Sequence, residues 1–217
     1  MRDRQRPQYL WMLGGILALY AAIIGLGATN PGGVIRLALL GYLIWSAARL
    51  RPERYIRWLA LLLGVAGLTA ALIAQQFGST SVSYGVVGGT SVVLIAVAMA
   101  SLASKLVDRP VVDITTVLGV LCIYLLFALF FASLNQLLGA FTAHYLNGTS
   151  DPATPSDLLY FSVITLATVG YGDITPATEI ARAVVVVEAL IGQLYLVSVV
   201  ATVIGGWRPP RFEDPRS

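Results

Sequence analysis

The stretch that decides the fold of this chain is Thr168-Val169-Gly170-Tyr171-Gly172-Asp173. It lies between two apolar runs, residues 111–138 and residues 181–205, each long enough for a membrane-spanning helix of about 20 residues. The two glycines stand at alternate positions and permit backbone conformations that a Cβ atom would resist. The pattern predicts a non-helical strand at membrane depth.

The residues before this strand predict a short helix that enters the membrane without crossing it. Thr154 is a good N-cap residue, Pro155 fits the first helical position, and Asp157 places a carboxylate in the first turn. A helix over residues 155–167 would be about 20 Å long, whereas the hydrocarbon core is about 30 Å thick. The helix must therefore end inside the membrane, where its partly negative C-terminus would favour a cation.

Backbone that lacks internal hydrogen bonds is tolerated at membrane depth only where it is buried in protein or lines a water-filled path. We expect the strand to direct its carbonyl oxygens, and below them a threonine hydroxyl, toward an axis shared by four copies. Such rings of oxygens replace the water shell of a monovalent cation without holding it too tightly. The residues expected to form this ion path are Thr168, Val169, Gly170, Tyr171 and Gly172.

Residues 158–172 resemble the pore loop of the potassium channel family, whose selectivity filter reads TVGYG. Residues 165–168 are similar to the family's Thr-x-Thr-Thr lead-in, with Ala167 in place of a frequent threonine. The resemblance covers residues 111–205. It implies a homotetramer that conducts K⁺ through the filter, with K⁺ bound by Thr168, Val169, Gly170 and Tyr171 and with no organic cofactor.

The resemblance also implies residues that support the filter. Tyr160 and Phe161 stand where many family members carry two tryptophans, and they would buttress the filter from behind together with Thr165. Phe161 cannot supply the indole hydrogen bond that some members make to the filter tyrosine. Asp173 is expected to form a ring of carboxylates at the outer mouth and to bond toward the pore helix, for which the sequence identifies no partner.

The last apolar run contains the residues expected to form a gate. Gly192 matches the hinge glycine of many potassium channels, with close packing against the pore helix as the alternative. Steps of three and four residues place one side-chain set on the face assigned to the inner cavity and its constriction, where an apolar ring can close a pore by dewetting. This set is Gln193, Leu196, Val200 and Ile204.

Glu188 is an ionisable residue in an otherwise apolar half-helix, and such a residue is expected to find a partner or water. We predict that it supports the filter through a hydrogen bond behind it, to the pore helix, and that its protonation alters the open probability. A purely structural hydrogen bond is the alternative. An unchanged pH response in a Glu188→Gln channel would eliminate the first hypothesis.

The composition predicts that most of the chain lies in lipid. Of 217 residues, 57% are hydrophobic and 12% charged, whereas soluble domains are about half apolar and a quarter charged. Apolar runs occur at residues 9–26, 34–48, 58–74, 84–106, 111–138 and 181–205. We therefore expect an all-α membrane protein with six transmembrane helices per subunit, in which the re-entrant pore helix and filter lie between the fifth and the sixth.

The positive charges predict the orientation. If six helices alternate, all of the 14 Lys and Arg residues except Arg36 and Arg182 fall on one side of the membrane. The positive-inside rule then places both termini in the cytoplasm, with a bacterial plasma membrane as the expected location. The net charge of +3 is therefore explained by lipid as the partner and not by nucleic acid.

Charge and proline at residues 108–110 interrupt the apolar pattern and predict a domain boundary. We expect a four-helix, sensor-like transmembrane domain over residues 1–108, a pore domain over residues 109–207 and a short cytoplasmic tail over residues 208–217. Voltage-sensing helices carry arginine at every third position. The fourth run has only Lys105, at its cytoplasmic end, so weak or absent voltage dependence is expected.

Two other classes of function stay open at this point. A potassium transporter subunit would need inverted repeats or several discontinuous helices, of which only one is visible, and a non-conducting accessory membrane subunit would fail to conduct ions alone. An enzyme is not expected, because His144, the only histidine, has neither a neighbouring nucleophile nor a metal-ligand cluster.

Overall fold

The computed structural model describes residues 6–25, 80–107 and 114–206, together with the single positions 41, 62, 65 and 69. The elements in chain order are α1 (Arg6–Gly25), α2 (Thr80–Val107), α3 (Ile114–Gly139), β1 (Leu146–Asn147), α4 (Pro155–Leu166), β2 (Thr175–Pro176) and α5 (Glu179–Gly206). The described part is therefore mostly helical.

Three of these helices are long and apolar enough to cross a membrane: Ser81–Leu106 within α2, Ile114–Gly139, and Glu179–Thr202 within α5. The apolar part of α1, Tyr9–Gly25, is shorter. The predicted spans at residues 34–48 and 58–74, the boundary near residue 108 and the tail at residues 208–217 lie outside the described residues, apart from the single positions.

α1 buries one stripe of side chains at helical spacing, which makes it part of the core that α3 shares. The buried residues of this stripe are Tyr9, Met12, Ile16, Leu19 and Ile23. Successive steps of three and four residues keep a stripe on one face of a helix. α1 is therefore fixed by its apolar face, and the Tyr20 hydroxyl adds a 2.9 Å hydrogen bond to the Leu125 carbonyl of α3.

α2 packs closely along α3 because a small residue stands at their contact. A Cβ atom added at Gly88 would lie 2.8 Å from the backbone nitrogen of Leu137. Small residues allow this close approach where lipid supplies no hydrophobic drive between helices. Gly88 is therefore a packing residue.

The loop after α3 returns to the far end of the TVGYGD stretch. β1 pairs with β2 in antiparallel register, with Leu146 opposite Pro176 and Asn147 opposite Thr175. Gly148 follows with φ +81°, and a side chain there would overlap the Asp173 carbonyl oxygen. The pairing of the outer loop with the segment after the strand therefore braces the strand at its end.

Candidate functional site

α4 begins where the sequence predicts. The Thr154 hydroxyl accepts from the Asp157 backbone nitrogen at 3.2 Å, and the Asp157 carboxylate accepts from the Thr154 backbone nitrogen at 3.1 Å. This reciprocal capping box satisfies two N–H groups that a helix start leaves without partners. Pro155 occupies the first turn, as predicted, since its missing N–H costs nothing there.

The same helix ends at Leu166, one residue before the predicted end, with Ala167 as its C-cap. At about 1.5 Å per residue, its 12 residues span about 18 Å, less than the hydrocarbon thickness. The chain turns immediately. The prediction of a capped half-helix that leads directly into the non-helical residues 168–173, called the strand below, is confirmed.

The last turn of α4 holds the start of the strand through backbone hydrogen bonds. The nitrogens of Val169 and Gly170 both donate to the Ile164 carbonyl, at 2.8 and 3.3 Å, and the Thr168 nitrogen donates to the Thr165 carbonyl at 3.0 Å. The carbonyls of a last turn lack helical partners and need donors of this kind. The strand is therefore fixed at its root by the helix that precedes it.

Beyond this root the backbone alternates in handedness. Thr168, Gly170 and Gly172 have φ values of +57°, +52° and +83°, and the residues between them are not left-handed. In an ordinary strand successive carbonyls point to opposite sides, and a left-handed residue at every second position reverses alternate peptide units. This alternation brings successive carbonyl oxygens toward one side.

Thr168 adopts this conformation although it is β-branched. A positive φ at such a residue is a genuine outlier that costs about 1–3 kcal/mol, and outliers of this kind cluster at functional sites. The threonine hydroxyl is required by the expected ion path, which gives a reason for keeping the residue. The two glycines adopt their φ values without that cost.

The whole of residues 168–173 is exposed in the single chain. Val169 is 50% and Tyr171 72% exposed, and a Cβ atom added at Gly170 or Gly172 would meet nothing within 4 Å. A strand at membrane depth cannot face lipid with free backbone groups. Its exposed side is therefore one that other protein or water must cover.

The sequence left Asp173 without a partner, and the structure supplies one. The Tyr160 hydroxyl of α4 donates to the Asp173 carboxylate at 2.7 Å, so the pore helix and the end of the strand are joined directly. This bond holds the pKa of Asp173 below its ordinary value, because it favours the charged carboxylate. Phe161 is buried and Thr165 is half-buried.

We expect Tyr160→Phe to raise the pH at which the outer mouth loses its negative charge. In the native chain the pKa of Asp173 is lowered, so the carboxylate stays charged down to a lower pH than a free aspartate does. Without the hydroxyl, the pKa returns toward 3.8. Conductance measured against external pH should show its acid midpoint moved upward.

The control for this prediction is Tyr195→Phe, which removes a hydroxyl that bonds to the Val120 carbonyl and does not contact Asp173. This variant should keep the native acid midpoint. An acid midpoint that Tyr160→Phe leaves unmoved would contradict the proposed role of the hydroxyl.

Gly192 lies against the end of α4. A Cβ atom there would come within 2.6 Å of the Leu166 carbonyl oxygen, and that same oxygen accepts from the Tyr124 hydroxyl of α3 at 3.2 Å. The glycine therefore has the packing role that is the alternative to a hinge. Its role as a hinge stays a prediction.

The residues assigned to the inner cavity lie on the uncovered side of α5. Gln193, Leu196 and Val200 are exposed in the single chain, as are neighbouring apolar residues such as Leu194 and Val197. The Ile204 side chain lies outside what the structure describes. The chain leaves a broad apolar face of α5 open to lipid, water or other copies.

Glu188 is fully buried and faces α4. Its carboxyl group interacts with the Ser162 hydroxyl of the pore helix, but neither carboxyl oxygen makes a hydrogen bond of good geometry to any residue that the structure describes. Glu188 therefore lies close to α4, and the predicted hydrogen bond behind the filter stays a prediction.

Comparisons with known proteins agree with this geometry. Residues 119–205 match a family model described as "Ion channel". Over 85 residues, 39% of this chain, the sequence is 38% identical to a rice protein (Oryza sativa subsp. japonica) named "Two pore potassium channel c". The matched region covers 17% of that relative's length. No solved structure matches the chain.

These similarities and the three apolar helices support an integral membrane protein in which residues 119–205 are similar to an ion channel domain. The domain includes α4, the strand and most of both flanking helices.

Proposed function

We propose that the chain is one subunit of a homotetrameric, potassium-selective channel in which residues 168–172 form the selectivity filter. The observation that carries this proposal is the alternation of left-handed backbone in an exposed TVGYG strand held at the end of a capped half-helix. The name of the rice relative agrees with it. K⁺ is the permeant ion in this proposal.

The chemistry of the filter follows from its oxygens. Carbonyl dipoles hold a dehydrated alkali cation firmly enough for it to enter and weakly enough for it to leave, whereas a ring of carboxylates would retain it. Thr168, Val169, Gly170 and Tyr171 each contribute one carbonyl per subunit, and the Thr168 hydroxyl closes the lowest site. The C-terminus of α4 adds a partly negative dipole below the filter.

Fourfold assembly accounts for the uncovered surfaces of the single chain. The strand is exposed, and so are the apolar residues Val187, Leu190 and Leu194 of α5. Four copies around one axis would enclose the strand, give each ring four oxygens and bring four Asp173 carboxylates to the outer mouth. We place both termini on the cytoplasmic side of a bacterial plasma membrane, as the positive-inside rule predicts.

The test is ion flux through the purified protein in liposomes. We expect K⁺ to leave loaded vesicles far faster than Na⁺ and without saturating exchange for an ion on the other side. Equal rates for the two ions would contradict the proposal, as would the absence of flux from protein that is tetrameric in detergent. Saturable exchange would indicate a transporter.

We also expect the open probability to depend weakly on voltage. The described α2 carries one basic residue, Lys105, in its last turn, so almost no charge of this helix lies within the membrane field. A charge that crosses the whole field contributes about 2.3 kcal/mol per 100 mV, and steep activation needs several such charges. Planar-bilayer recordings from −100 to +100 mV would test this, and activation within a few tens of millivolts would contradict it.

A further inference from the structure

A set of polar side chains lies buried behind α4, within the pore domain. Asn135, Ser162 and Glu188 are 0% exposed and Tyr145 is 4% exposed. They come from α3, α4, α5 and the loop after α3. Buried polar groups are costly without partners, so a cluster drawn from four segments of the pore domain needs a reason.

Hydrogen bonds connect this cluster. The Tyr145 hydroxyl donates to the Asn135 side-chain oxygen at 2.8 Å, and the Asn135 amide nitrogen donates to the Ser162 hydroxyl at 3.4 Å. Ser162 in turn interacts with the Glu188 carboxyl group. The contacts therefore run from the outer loop through α3 and α4 to α5.

Glu188 lies at the end of this series of contacts, and its carboxyl group has unused hydrogen-bonding capacity. Neither carboxyl oxygen has a hydrogen bond of good geometry from a described residue, and the side chains that interact with it electrostatically include Tyr20 of α1 and Tyr145. A carboxyl group held in a span and away from water is expensive and, by default, functional.

The contact between α4 and α5 extends over two successive turns. Glu188 and Gly192 are four residues apart and share a face of α5, and their neighbours Ser162 and Leu166 are four apart on α4. The last turn of α4 bonds directly to the strand through Ile164 and Thr165. A displacement of α5 is therefore passed to α4 and from there to the root of the filter.

We propose that Glu188 is a positioning residue that joins α5 to the chain Ser162–Asn135–Tyr145 and thereby keeps the filter in its conducting form. The inference rests on the proposed channel function. While these contacts are made, they hold α4 in register with both flanking helices, α3 and α5. When one of these contacts is lost, α4 shifts and the filter leaves its conducting conformation sooner.

The experiment compares single-channel burst durations of the reconstituted full chain. We expect Glu188→Leu and Ser162→Ala each to shorten conducting bursts about tenfold, since the loss of a buried polar partner changes an equilibrium by roughly a factor of ten. Glu188→Gln, which keeps a hydrogen-bonding group of the same shape, should retain most of the native duration. The double variant that combines Ser162→Ala with Glu188→Leu should have bursts no shorter than those of either single variant.

Matched controls separate this role from general damage. Ser91→Ala removes a buried serine of α2 that bonds only to its own helix, at the Val87 carbonyl, and Glu179→Leu changes an exposed carboxylate at the start of α5. Both should leave the bursts unchanged. Native burst durations in Ser162→Ala, or additive effects in the double variant, would overturn the inference.

A second readout separates this inference from the proposed function. Thermal unfolding in detergent measures whether the effects of Ser162→Ala and Glu188→Leu are coupled, whatever the protein conducts. If the wild-type protein does not conduct K⁺, the proposed function fails. The contact between Glu188 and Ser162 is then tested by this coupling alone. Independent effects on unfolding would refute it.

Discussion

Gly170→Ala should reduce potassium flux at least about 100-fold while the protein still folds and inserts. Gly170 has φ +52°, and a left-handed conformation costs an L-residue with a Cβ about 1–2 kcal/mol. Four subunits would bear that cost together, about 4–8 kcal/mol per channel, and each tenfold needs only about 1.4 kcal/mol. The filter backbone should therefore abandon the alternation.

The effect at Gly170 is conformational and not steric within one chain, because an added Cβ atom would meet nothing within 4 Å. Gly14→Ala provides the control, since Gly14 lies in α1, is equally uncrowded and has no positive φ. This control should keep native flux in the liposome assay. A Gly170→Ala channel with flux within about twofold of native would contradict the assignment of the strand.

Gly192→Ala is the second substitution expected to have a large effect. Its Cβ atom would lie 2.6 Å from the Leu166 carbonyl oxygen, which is backbone and cannot swing away. Overpacking of this kind costs about 1–3 kcal/mol per site. We expect a lower unfolding temperature in detergent and reduced flux, since the end of α4 that carries the filter must shift.

Gly205→Ala is the matched control for Gly192→Ala. Gly205 stands in the same helix, and an added Cβ atom there would meet nothing within 4 Å. This control should unfold at the native temperature. A Gly192→Ala protein that unfolds at the native temperature but shows altered gating would favour the hinge and contradict the packing role.

Local chemistry is enough to predict the pore helix and the strand from sequence. The cap at Thr154, the proline after it and the carboxylate of Asp157 act within one turn, so their signal is complete in four residues. The alternate glycines likewise report the backbone conformation that each position needs. The structure confirms the helix, with its end one residue earlier, and the positive φ values.

Contacts between segments could not be predicted in the same way. Tyr160 and Asp173 are 13 residues apart, and their hydrogen bond depends on how far the strand rises beside the helix. The aromatic residue itself was recognised, but nothing in the sequence specifies that its hydroxyl reaches a carboxylate. Gly192 was ambiguous for the same reason, because the register between α4 and α5 is decided by packing.

The polar cluster behind α4 shows the same division. Glu188 stands out in sequence because it is charged in an apolar run, whereas Asn135, Ser162 and Tyr145 carry no such signal. They meet only because α3, α4 and the outer loop converge there. The count of six spans rests on the sequence, since two of them lie outside the described residues.

The central claim is that backbone oxygens of residues 168–171 select K⁺ over Na⁺. Its most direct test is the reversal potential of the reconstituted protein with K⁺ on one side of a bilayer and varying K⁺ and Na⁺ on the other. We predict that the potential follows the K⁺ gradient at about 59 mV per tenfold change, the limit for one charge. A potential that stays near zero when Na⁺ replaces K⁺ would contradict the claim.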